Sequence, residues 1–170
     1  MRSRLAAAVG SAIFLFVAPG VVAGWIPWRI TRGRLEPPLF DGRASRIIGV
    51  LLIVVGASVL LESFARFARV GRGTPAPVAP TERLVVSGLY RHVRNPMYLA
   101  VVSAILGQAL LFGSSELLWY GALMWLAFHL FVLLYEEPTL RRQHGDEYET
   151  YRAAVRRWRP RVRPYRAERP

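Results

Sequence analysis

Four apolar runs, residues 5–25, 44–64, 97–113 and 117–135, divide this chain into stretches that water will not hold. Each lies near the roughly 17 to 25 residues that carry an α-helix across a bilayer. The second contains "IIGVLLIVVGASVLL", with no charge over that length. The expectation is an all-α integral membrane protein of about four transmembrane helices, forming a single domain over residues 1–170. The first run follows "MRSR" and ends in "VVAG", a pattern that a cleaved secretory signal also shows. Trp25 and Trp28 at its far end read as interfacial anchors and favour a retained helix.

Charge fills the gaps between the runs. The net charge is +12 beside 53% hydrophobic residues, and all 23 basic residues are arginine. Those arginines sit between apolar segments rather than along one polar face, which points to membrane lipids as partners and not to nucleic acid. With four spans, the N-terminus, the second loop and the C-terminal tail share one side and hold 18 of the 23 arginines. That side is expected to be cytosolic, with the protein in the cytoplasmic (inner) membrane. The absence of cysteine excludes disulfides, thiolate zinc sites and a cysteine nucleophile. Three scattered histidines have no ligand spacing, so no metal site is expected.

Residues 71–95 form the cytosolic connection between the second and third runs. Its "GRGTPAPVAP" is too rich in proline to be helical. It leads into "GLYRHVRNPMYLA", residues 88–100, where Asn95 is placed to cap a helix and Pro96 to start it. Beyond the fourth run, residues 136–170 form a polar cytosolic tail. Leu140, Tyr148, Tyr151 and Val155 have helical spacing broken near Gly145, which predicts one or two amphipathic helices along the membrane surface.

The third and fourth runs are joined by only a few residues and must form a tight antiparallel hairpin. At 1.5 Å per residue, they span about 25 and 28 Å, so the chain crosses and returns to the same depth. Glu136 and Glu137 are therefore expected beside Arg91, Arg94, Asn95 and Tyr98. Two carboxylates at the C-terminal end of an apolar helix oppose its dipole and are costly at a membrane boundary, so cations should sit against them. Those cations either satisfy the glutamates and fix topology or line a pocket suited to a zwitterion. His129, seven residues before Glu136, should share its face; inside a span it is either a functional group or a hydrogen-bonded packing residue. Gln108 reads as interhelical packing, and Glu62 with Arg66 as an i,i+4 ion pair.

Taken together, "GLYRHVRNPMYLA", the hairpin, "LYEEPTLRRQHGDEYETY" and "VRRWRPR" resemble the isoprenylcysteine carboxyl methyltransferase and phospholipid methyltransferase family of integral membrane enzymes, over roughly residues 71–161. The resemblance implies methyl transfer from S-adenosylmethionine to a lipophilic acceptor at the cytosolic face. It places Tyr90, Arg91, Arg94, Asn95 and Tyr98 along the cofactor site, with Pro96 setting the turn. It assigns Glu136 and Glu137 to the ammonium or ribose hydroxyls, and Tyr148, Tyr151 and Arg157 to the cover. Arg94, Glu137 and His129 are the residues expected at the reacting centre. Many members have histidine where Asn95 stands; asparagine keeps the hydrogen bonds but not a proton role. Two other classes compete: an NADPH-dependent reductase of the enone or sterol type, and a non-catalytic lipid-binding membrane protein. The acceptor itself, whether a lipid or a smaller lipophilic molecule, is not written in these motifs.

Overall fold

The computed structural model describes residues 17–40, 42–66 and 84–166. Most of the first run and the proline-rich connection, residues 71–80, lie outside the described residues. Among the described residues there are helices and turns and no strand, in keeping with the all-α expectation. A π-turn, Val21–Trp25, leads into helix α1, Ile26–Thr31. Then come α2, Gly42–Arg66; α3, Pro96–Phe112; α4, Ser115–Phe131; a second π-turn, Val132–Glu136; and α5, Glu137–Ala154. Two helices are long and apolar enough to cross a membrane, α2 and the continuous 40-residue run Ser115–Ala154 that contains α4. Helix α3 is apolar but shorter, at 17 residues.

The chain divides into two compact units. One comprises Leu15–Leu61 and Met97–Phe128. Its helices meet through their smallest residues: a Cβ on Gly49 would stand 2.6 Å from the Gly107 carbonyl oxygen, and one on Gly56 2.7 Å from that of Ala100. Lipid-like surroundings give two apolar helices little hydrophobic reason to associate, so close backbone approach and dispersion supply the attraction. Polar side chains then fix the register. Gln108 Nε2 donates to the Ala23 carbonyl at 2.7 Å, as its packing role requires, and Tyr120 Oη to the Val22 carbonyl at 2.9 Å. The α3–α4 hairpin turns at Gly113 and Ser114, where Ser114 Oγ accepts from the Leu117 amide at 3.3 Å and caps α4.

The other unit contains Glu62–Pro96 and His129–Pro170. Its core is Tyr148, Tyr151 and Val155, with Leu84, Val86, Leu140, Ala154 and Tyr165 packed against them. These include all four residues of the tail periodicity, so the amphipathic reading of residues 136–155 is realised as buried packing. The expected break is also present: Gly145 has φ 49° and ψ −125°, which divides α5 into two helical pieces. Only glycine takes that backbone without strain. Glu62 and Arg66 form the anticipated i,i+4 ion pair.

Candidate functional site

Pro96 begins α3, and the residues immediately before it are held by the end of the tail. The Arg94 amide donates to the Arg156 carbonyl at 3.0 Å, the Arg161 amide to that of His92 at 2.9 Å, and the Tyr165 amide to that of Arg91 at 2.9 Å. The two segments thus run antiparallel. Side chains reinforce the pairing: Arg91 Nε donates to the Tyr165 carbonyl, His92 Nδ1 to that of Arg161 and Asn95 Nδ2 to that of Arg157. Since a carbonyl can only accept, His92 carries its proton on Nδ1. Pro160 and Pro164 keep this strap out of a helix.

Beneath the strap lies Glu137, only 5% exposed. Arg157 grips its carboxylate with both arms of the guanidinium, at 2.6 and 2.9 Å. Arg94 adds a third contact at 3.1 Å, and its own side chain is 9% exposed. The same Arg94 guanidinium donates to Tyr148 Oη at 2.9 Å, while Tyr151 Oη donates to the Tyr90 carbonyl at 2.6 Å. Burial pushes the Glu137 carboxyl upward, but the Arg157 hydrogen bonds and the charge of Arg94 outweigh it and hold the group below the usual carboxylate range. For Tyr148 and Tyr151 burial prevails over Arg94, so both hydroxyls stay protonated. Arg94 Nε is buried and lacks a hydrogen-bond partner among the described residues. One donor of this buried cation is therefore left unmatched among the described residues.

The structure thus brings together Arg94, Asn95, Glu137, Tyr148 and Arg157, with Tyr90 and Tyr151 adjoining, and pairs Arg91 with Tyr165 of the strap. Glu136 is partly exposed; burial is the main cause that raises Tyr90 and Tyr148, and the Glu136 charge adds to it. Tyr98 lies in the first turn of α3, its ring 4.9 Å from that of Phe128, both in the other unit.

His129 and Glu136 do not share a face. The π-turn Val132–Glu136 absorbs one extra residue, which sets all that follows back by about 100° relative to a regular helix. Glu137, and not Glu136, thereby falls in phase with His129. His129 Nδ1 accepts from the Trp158 indole at 3.0 Å, with ring centroids 5.9 Å apart. Trp158, Arg161 and Tyr165 were not singled out individually from sequence, although Pro160 and Pro164 signal an extended segment.

Three comparisons bear on this arrangement. A family model described as phospholipid methyltransferase matches residues 44–147, which include Arg94, Asn95 and Glu137 and stop one residue before Tyr148. A 63-residue stretch is 38% identical to an uncharacterized protein of Haemophilus influenzae, covering 36% of this chain and 98% of that protein. No solved structure matches.

Proposed function

Because the chain belongs to the phospholipid methyltransferase family, whose model matches more than half of it, we propose that this membrane methyltransferase moves a methyl group from S-adenosylmethionine to a lipophilic acceptor at the cytosolic face. The observation that carries the proposal is the buried Arg94–Glu137–Arg157 cluster, in which the Arg94 Nε donor has no hydrogen-bond partner among the described residues. A zwitterionic cofactor suits that cluster: the Arg94 donor takes the carboxylate, and the partly exposed Glu136 supplies negative potential for the ammonium. Tyr90, Tyr148 and Tyr151 add aromatic walls. When bound, S-adenosylmethionine supplies a methyl group activated on a sulfonium.

The protein's own groups position and exclude water. Glu137 is engaged by two guanidiniums, so its work is to hold Arg94 and Arg157 in place. Tyr148 and Tyr151, kept protonated, donate hydrogen bonds and do not act as bases. His129 has Nδ1 occupied by an indole that can only donate, and we assign it to holding Trp158 and the strap. Rate enhancement then rests on alignment in a dry site, with little acid–base chemistry. Such a site favours an acceptor that arrives with its lone pair already available, such as a carboxylate. In this reading residues 5–25, 44–64, 97–113 and 117–135 all cross the membrane, and the arginine bias puts the tail in the cytosol.

Calorimetric titration of S-adenosylmethionine, and separately of NADPH, into the detergent-purified protein tests the reading. Saturable binding of the methyl donor, weakened at least about tenfold in Arg94→Ala, is expected from loss of a buried charge-assisted hydrogen bond. Binding of NADPH instead, by a folded wild type, overturns it in favour of a reductase.

A further inference from the structure

The first turns of α2 carry an open groove of about 680 Å³ that the methyl-transfer reading does not use. Its volume falls within the roughly 300–1,000 Å³ of small-molecule sites. Pro38, Ile47, Val50 and Leu51 line it together with Arg43 and Arg46. Ile47, Val50 and Leu51 are each about half exposed, so the groove presents hydrocarbon to whatever lies outside. Arg46 donates to the Glu36 carbonyl at 3.2 Å, and its Nε is buried with no hydrogen-bond partner among the described residues. Arg43 is exposed, and no ion pair to either arginine occurs among the described residues. The surrounding stretch, residues 26–46, holds five arginines against Glu36 and Asp41.

Two cations beside an aliphatic floor, where an apolar helix begins, match a ligand with an anionic head and a hydrocarbon tail. We propose that this groove retains one anionic phospholipid, its phosphodiester on Arg43 and Arg46 and one acyl chain along Ile47, Val50 and Leu51. A soluble anion would leave the aliphatic floor uncovered. A zwitterionic lipid would set its own cation against the two guanidiniums. The site requires no methyl transfer, and it stands whether or not that reaction is the protein's.

The experiment is native mass spectrometry of the full chain in detergent, titrated with phosphatidylglycerol, with phosphatidylcholine of the same acyl chains, or with inorganic phosphate. One phosphatidylglycerol should be retained per chain, at about tenfold or more lower concentration than phosphatidylcholine, given two arginines at the headgroup. The double variant Arg43→Gln/Arg46→Gln should lose that preference. Val50→Trp, which fills the groove at an exposed position, should weaken both lipids while leaving the arginines intact. Variants are compared at helix content matched by circular dichroism. Equal retention of the two lipids, an unchanged preference in the double variant, or displacement of phosphatidylglycerol by inorganic phosphate would each overturn the assignment.

Discussion

The two compact units hold themselves together by opposite means. Where α2 meets α3, attraction comes from the absence of side chains: Gly49, Gly56 and Gly107 let backbones approach, and few directed bonds are needed. Around Glu137 it comes from named atoms on three separated pieces of chain, with Arg94 and Arg157 converging on one carboxylate. The first arrangement tolerates any residue that is small enough. The second tolerates almost no change, because removing one partner leaves buried charge behind. Scaffold and site therefore obey different substitution rules within one short chain.

The sharpest way to break the contrast is Glu137→Gln. It leaves Arg94 and Arg157 facing a neutral amide, and a loss of about 3 kcal/mol is expected in denaturant unfolding. An unchanged midpoint would mean that the cluster is solvated and the contrast false. Next is Gly107→Leu, whose Cβ would press to 2.6 Å from the Gly49 carbonyl. It should cost about 2 kcal/mol, yet leave S-adenosylmethionine affinity of the folded fraction intact, as calorimetry at low temperature can show. A matching loss of affinity would show that the two units are not energetically separate.

Acid tests the same contrast without mutation. The Glu137 carboxyl is held low in the folded protein, so its stabilisation is complete above the unfolded carboxylate value of about 4.3. It is lost as pH falls through the depressed folded value. Thermal midpoints measured from pH 7 to 3 (about the range that brackets this titration) should fall at the acid end, and Glu137→Gln should show a shallower fall. The smallest effect belongs to Glu149→Ala. Its pairs with Arg141 and Arg152 are well exposed, so a change within about 0.5 kcal/mol is expected. A larger change would show the exposed part of α5 to be coupled to the buried cluster.

Much of this was legible because hydropathy and helix length are strong constraints. The hairpin forces residues about forty positions apart to the same depth, so the meeting of Arg94 with Glu137 follows from counting. Leu140, Tyr148, Tyr151 and Val155 likewise declared their face by spacing, and Gly145 its break. The strap was less visible, since backbone pairing between residues 91–94 and 156–165 leaves no side-chain periodicity to read. The phase of Glu137 was hidden for another reason. A π-turn adds one residue without any composition that marks it, and "VLLYE" looks like any apolar helix end.

That π-turn also bears on how the chain can vary through descent. A bulge is a place where a helix has absorbed one residue while the positions on either side keep their orientation. Loss of a single codon between His129 and Glu137 would therefore erase the bulge and restore a plain α-helix, with the carboxylate still on the histidine's face. Gain of a codon would demand a second bulge or swing Glu137 away from its arginines. Length variation in this segment is thus asymmetric: homologues one residue shorter can retain the cluster, whereas those one residue longer must pay with a further distortion.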